Sequence, residues 1–93
     1  MNQQIQNLPD VAKAELQRMG DQFLRVLPRN VSVDRFVRIA QNAVMNNRNL
    51  LTCDRASLFS ACMQSAQMGL NLDGREAALV PFKGVVKFMP MVA

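Results

Sequence analysis

The residues with the most evident chemistry are basic side chains near a short predicted β-hairpin. Arg75, Lys83 and Lys87 lie closest to that hairpin, and such cations hold phosphate groups by charge without reading sequence. Four arginines earlier in the chain are second candidates for the same role: Arg35, Arg38, Arg48 and Arg55. The pattern therefore predicts a surface that binds a nucleic-acid backbone.

A solvated surface is the competing interpretation of these residues. For the arginines on helices and loops, simple exposure or an ion pair with a nearby acid is the favoured interpretation, because scattered surface arginines are common. For the three hairpin residues the two interpretations are equally supported. The net charge of +4 favours a polyanion partner only modestly and does not decide between them.

Residue types suited to catalysis form no recognisable arrangement. The chain has no histidine, and neither Cys53 nor Cys62 has the setting of a nucleophile. Asp73 and Glu76 are close enough in sequence to share a metal, but a solvated turn is the favoured interpretation. No phosphate-binding glycine loop of the Walker type occurs. We therefore expect no enzymatic activity, no metal and no cofactor.

Aromatic rings are the second ingredient of single-strand binding, because unpaired bases stack on them. The chain has no tryptophan and no tyrosine, and it has five phenylalanines. Phe82 and Phe88 flank the predicted hairpin turn and are the candidates for stacking, although core packing is the favoured interpretation for both. The other phenylalanines lie on predicted helices and are expected in the core.

Three helices must position these residues. Pro28 ends the first helix, Ser32 is a good N-cap for the second, and Gly69 is a typical stop for the third. The segment Asn46–Asn49 is interpreted as a loop. The predicted helices run from Pro9 or Asp10 to Leu27, from Val33 to about Asn47, and from a cap at Asp54 or Thr52 to Met68.

A β-hairpin is predicted to follow the helices. Ala77–Phe82 and Val85–Met91 are short apolar runs joined by two residues, Lys83 and Gly84, which is a typical hairpin spacing. Prolines 81 and 90 fit strand edges, since they lack a backbone donor. The expected fold class is α+β: three helices, then a hairpin, within one segment of residues 1–93, with residues 1–8 disordered.

The motifs taken together resemble the N-terminal part of RecT-type single-strand annealing proteins of phages and prophages. No single motif is specific, but the ordered set covers about two thirds of the chain. The matching segments are Leu27–Arg29 (LPR), Arg35–Ala40 (R-x-x-R-I-A), Cys53-Asp54, Ser65–Leu70 (SAQMGL) and Leu79–Phe82 (LVPF). The resemblance implies that this chain is the N-terminal portion of a longer protein of that kind.

The resemblance also implies a function. RecT-like proteins anneal complementary single strands of DNA in homologous recombination without ATP, and they assemble into rings or helical filaments. The implied partners are single-stranded DNA, further copies of the chain and a phage exonuclease. Some relatives carry a longer charged loop after the LPF-like strand, so the compact hairpin here puts a loop-based DNA contact in doubt.

A different class of function stays open from the residues alone. Small residues on the third helix, such as Ala61 and Ser65, are typical of close packing against another helix or a neighbouring subunit. The chain could then be an oligomerisation or interaction module with little DNA binding of its own. Two lone cysteines, the absence of a leader at Met1–Asp10 and the lack of a long apolar run favour a reduced, cytoplasmic chain with no membrane span.

Overall fold

The structure is a computed structural model that describes residues 8–91. Within that range, four α-helices and one 3-10 helix precede a two-stranded antiparallel sheet, which confirms the α+β class. The elements are α1 (Leu8–Arg18), α2 (Gly20–Val26), α3 (Val33–Asn46), the 3-10 helix (Arg48–Thr52), α4 (Arg55–Met68), β1 (Ala77–Phe82) and β2 (Val85–Pro90). Of the stretch predicted to be disordered, only Leu8 is described, and α1 begins there; the rest lies outside the described residues.

The first predicted helix is two helices separated at Met19. The backbone hydrogen bonds continue across the break, from Met19 N to Glu15 O at 3.0 Å and from Phe23 N to Met19 O at 3.0 Å. A poor helix former, Gly20, follows directly, and nothing lies within 4 Å of the position that a Cβ would take there. The glycine therefore weakens the helix locally and does not serve a close contact.

Each predicted cap is present. Ser32 Oγ accepts a hydrogen bond from Arg35 N at 3.3 Å, and Asp54 Oδ2 accepts one from Ser57 N at 3.0 Å. Gly69 ends α4 in the left-handed conformation with φ +71°. A Cβ on Gly69 would lie 2.7 Å from Pro28 Cγ, so the α4 stop packs directly on the proline that follows α2.

The predicted loop at Asn46–Asn49 is wrong in part, because Arg48 already opens the 3-10 helix. The Asn47 side chain accepts from Asn49 N at 3.3 Å, and Thr52 Oγ1 donates to Asn49 O at 2.9 Å. Leu50 is buried in the core. Burial of this leucine, together with these local hydrogen bonds, gives the polar segment a regular turn.

The hairpin has the predicted turn and first strand, and the second strand ends at Pro90, one residue earlier than predicted. Phe82 pairs with Val85, so Lys83 and Gly84 form a two-residue connection with φ of 52° and 82°. Positive φ at both positions is the type I′ arrangement, whose twist matches that of the strands. One sheet face carries Leu79 and Val86, which are buried against the helices, and the opposite face is exposed or half-buried.

The core is continuous from α1 to the inner face of the hairpin. Phe23 and Phe36 meet edge to face with ring centroids 5.1 Å apart. Ala61, Ser65 and Ala66 of α4 are buried within the chain itself. Of the small residues predicted to mark a tight contact, these three pack inside this chain, whereas Ala56 and Ser60 are exposed.

The hairpin is fixed to the start of α4 at two points. Asp54 N donates to Gly84 O at 2.8 Å, and Val86 N donates to Ser57 Oγ at 2.8 Å. These contacts hold the hairpin turn beside the N-terminus of α4. Between residues 8 and 91, no helix has the length and apolar character needed to cross a membrane.

Candidate nucleic-acid interface

The hairpin turn presents a cation and an aromatic ring together. Lys83 Nζ lies 5.3 Å from the centroid of the Phe82 ring, and Phe82 is 54% exposed. The prediction that Phe82 packs in the core is therefore wrong. The exposed ring can stack with a base, and the ammonium group beside it can attract the phosphate attached to that base.

Lys87 lies on the same exposed sheet face as Phe82. It pairs with Val80 across the hairpin, and Phe82 is two residues further along that face of β1. Phe88, by contrast, pairs with Leu79 on the inner face and packs against the core. For Phe88 the core interpretation is confirmed, so Phe82 is the ring at this hairpin that faces solvent.

Arg75 lies at the other end of the hairpin from Lys83. Glu76 and the six residues of β1 separate the two, and the strand alone corresponds to roughly 20 Å. The predicted group of three basic residues is thus a pair on the hairpin, Lys83 and Lys87, with Arg75 set apart.

The turn that carries Arg75 is organised by two carboxylates. Asp73 Oδ1 accepts from Arg75 N at 2.8 Å and from Glu76 N at 2.9 Å, while Glu76 Oε1 accepts from Asn71 N at 2.7 Å. Desolvation alone would raise the pKa of Asp73, but the backbone hydrogen bonds and the charge of Arg75 outweigh it, and the pKa lies below its ordinary value. Both carboxylates therefore serve the turn, as the solvated-turn interpretation predicts.

Arg55 has an acidic partner. Its Nη1 lies 3.8 Å from Glu15 Oε1, and Glu15 also pairs with Arg18 at 3.6 Å. The ion-pair interpretation is thus confirmed for Arg55, which links α4 to α1. Such part-exposed pairs are weak, but they lower the charge that Arg55 offers to a phosphate.

Arg35 and Arg38 have no such partner. Both are exposed on α3, and no carboxylate oxygen among the described residues lies within 4.0 Å of either guanidinium. Arg35 lies on the helix face that continues through Asn42 and Asn46, and Arg38 borders that face. Arg48, exposed at the start of the 3-10 helix, likewise has no ion pair within the described chain.

A groove of about 380 Å³ separates this face of α3 from β1. Leu50, Leu72 and Leu79 line its interior, and Asn42, Asn46 and Asp73 line it with polar groups. Sequence patterns did not predict the groove, because its lining residues come from α3, the 3-10 helix and the segment from Leu72 to Leu79, which are distant from one another in sequence.

The sequence profile of the RecT family matches residues 34–93. This chain belongs to the RecT family. Membership places it among phage-type recombination and annealing proteins. Comparison with curated proteins and with solved structures gives no match.

The matched stretch contains the whole set of basic candidates in this RecT-family chain. It begins at Asp34, near the start of α3, and runs through α4 and the hairpin. Helices α1 and α2 precede it and contribute Leu16 and Phe23 to the core beneath α3. The stretch that matches the family therefore contains the candidate interface, and α1 and α2 pack beneath it in the core.

Proposed function

We propose that this chain binds single-stranded DNA without sequence readout and takes part in ATP-independent strand annealing during recombination. The observation that carries the proposal is the exposed Phe82–Lys83–Lys87 surface on a chain of the RecT family. Annealing breaks no covalent bond, so the proposal needs neither a catalytic group nor a cofactor. It requires a surface that holds one strand while leaving its bases able to pair.

Two rows of cations would contact the DNA backbone. Lys83 and Lys87 form the first row, on the exposed sheet face, and Arg35 and Arg38 form the second row, on α3. Arg55 and Arg75 would be weaker contacts, since Arg55 is paired with Glu15 and Arg75 lies beside Asp73, and the exposed Arg48 would be a further contact. Charge contacts of this kind supply affinity by releasing counterions.

Self-assembly is the second part of the proposal. The exposed sheet face also carries Met89, which is 47% exposed, and Met91 beyond the strand is 51% exposed. Adaptable methionine side chains on the same face as an exposed phenylalanine favour contact with a further copy of the chain. If this contact predominates, the chain acts chiefly as an oligomerisation module. A phage exonuclease is the proposed partner enzyme, and the cytoplasm is the proposed compartment.

The test is an annealing assay without ATP. Two complementary oligonucleotides, each with one dye of an energy-transfer pair, are mixed with and without the 93-residue chain, while light scattering records its mass. Faster annealing by an assembled chain supports the full proposal. An unchanged annealing rate with a defined oligomer would contradict strand annealing by this chain and favour the oligomerisation module.

A further inference from the structure

The groove between α3 and β1 has an apolar interior and a polar rim. Leu50, Leu72 and Leu79 are buried and form the interior. The rim carries two exposed amides one helical turn apart, those of Asn42 and Asn46. The exposed carboxylate of Asp73 lines the groove from the turn before β1.

This chemistry matches an unpaired nucleobase. A base has two apolar faces and an edge of hydrogen-bond donors and acceptors, so it suits a slot with apolar walls and a few convergent polar groups. The side-chain amide of an asparagine can both donate to and accept from such an edge, and a carboxylate accepts from an exocyclic amino group. The volume of about 380 Å³ is in the range of small-ligand sites.

Among the described residues, Asp73 is the one charged residue that lines the groove, and the cations that could hold phosphates lie outside it on α3. Arg35 lies on the groove side of α3, one turn before Ile39, which lines the groove. Arg35 and Arg38 have no carboxylate within 4.0 Å in the described chain, so both are available to phosphates. The pKa of Asp73 lies below its ordinary value, which favours the carboxylate, a group that accepts hydrogen bonds without donating any.

We propose that this groove holds one unpaired base of the bound strand, with the adjacent phosphates on Arg35 and Arg38. Asp73 and the two asparagines would add only a small preference for a base with an exocyclic amino group over thymine, because the phosphate contacts supply most of the affinity and accept any sequence. The inference rests on the proposed function, since it gives a base site to the same DNA surface. One base held per chain leaves the neighbouring bases free to pair, as annealing requires.

An apolar side chain of a protein partner fits the groove less well. Such a side chain would cover Asn42, Asn46 and Asp73 without offering them hydrogen bonds, and burying polar groups without partners is costly. A second copy of this chain also brings a net charge of +4 towards Arg35 and Arg38. Charge repulsion therefore disfavours that occupant at this site.

The test compares oligo-dC and oligo-dT of equal length by fluorescence anisotropy at neutral pH. Cytosine has an amino donor at the position where thymine has a carbonyl oxygen. We expect oligo-dC to bind about fivefold more tightly, and we expect Asp73→Asn to remove most of this difference. Asparagine keeps the oxygen that accepts from Arg75 N and Glu76 N, so the turn should stay folded.

A second variant fills the groove. Ala43 lines it, and leucine is nearly as good a helix former as alanine, so Ala43→Leu should lower affinity for oligo-dC by about tenfold without unfolding α3. Ala14→Leu, at an exposed position of α1, is the matched control and should leave affinity unchanged. Thermal unfolding of each variant checks that the fold is intact.

The outcomes separate the base site from the proposed function. Salt-sensitive binding with equal affinity for the two oligonucleotides, and no effect of Ala43→Leu, would overturn the base site and leave the DNA surface standing. Absence of binding by the unchanged chain would overturn both. An Ala43→Leu variant that loses self-association and keeps its DNA affinity would assign the groove to a second copy and overturn the base site.

Discussion

The backbone N–H of Val86 donates to the hydroxyl of Ser57 at 2.8 Å, which joins β2 to α4 across 29 residues of sequence. The same hydroxyl donates to Asp54 O at 2.6 Å, and Asp54 N donates to Gly84 O at 2.8 Å. An isolated two-stranded hairpin is barely stable. These hydrogen bonds therefore help to hold Phe82 and Lys83, which lie at the turn, in a fixed position against α4.

Ser57→Ala should loosen this attachment. The change leaves the backbone N–H of Val86 without its hydrogen-bond partner, and we expect a loss of about 1–2 kcal/mol in the free energy of unfolding. Urea unfolding measures the loss, and hydrogen exchange at the Val86 amide should become faster. Ser60→Ala, at an exposed position of the same helix, is the control. Equal stability of the two variants would show that the hydrogen bond contributes nothing.

Gly69→Ala should be more damaging than Gly74→Ala. Both glycines have positive φ, +71° and +83°, so alanine pays a backbone cost of about 1–2 kcal/mol at either position. At Gly69 the new methyl group also meets Pro28 Cγ at 2.7 Å, which adds about 1–3 kcal/mol, whereas nothing lies within 4 Å at Gly74. Chemical unfolding of both variants tests the difference, and equal losses would contradict the close packing of Pro28 on Gly69.

Lys83→Asn should separate stability from DNA binding. Lys83 has φ 52°, a conformation that asparagine adopts more readily, but the change removes the contact between the ammonium group and the Phe82 ring. We expect these effects to offset each other to within about 0.5 kcal/mol in unfolding free energy. Affinity for single-stranded DNA should still fall. A variant with unchanged affinity would remove Lys83 from the interface.

Cys62 should make stability fall at alkaline pH. Burial raises the pKa of its thiol from 9.0 to about 12, so the folded chain keeps a proton that the unfolded chain releases above pH 9. The contribution of the protonated Cys62 thiol to the free energy of unfolding is complete below pH 9. It should fall by about 1.4 kcal/mol per pH unit from there towards pH 12. The slope is compared with that of Cys62→Ala, which isolates the contribution of this thiol. Parallel slopes would contradict the buried, protonated thiol.

Local chemistry explains which elements could be predicted from sequence. The caps at Ser32 and Asp54 depend on hydrogen bonds between residues three apart, and the hairpin turn depends on Lys83-Gly84 itself, so these were all visible in the pattern. Gly20 marks a weak point in the first helix, but a single glycine is also compatible with a continuous helix, so the pattern alone does not decide the break at Met19. The Arg48–Thr52 turn depends on burial of Leu50 against distant elements, which sequence spacing does not reveal.

The interface was predictable in residue type but not in arrangement. The basic candidates were visible as single residues, but their partners were not: Glu15 of α1 meets Arg55 only in the folded chain. Likewise, alternation along β1 and β2 indicates two faces, but only packing shows that Phe82 faces solvent and Phe88 faces the core. The groove is lined by residues of α3, the 3-10 helix and β1, which are distant in sequence, so no local pattern predicts it.

The salt dependence of single-strand binding tests the central claim most directly. Affinity of the 93-residue chain for a labelled oligonucleotide is measured from low to moderate salt for the unchanged chain and for a double variant, Lys83→Asn with Lys87→Ala. The matched control removes two exposed cations from α1 and α2, Lys13→Ala with Arg25→Ala. We predict steep salt dependence for the unchanged chain and a log–log slope about 1.4 smaller for the hairpin variant, with the control slope unchanged, because each lost phosphate contact removes about 0.7. An affinity that does not depend on salt concentration, or equal slopes for the hairpin and control variants, would contradict a DNA interface on this hairpin.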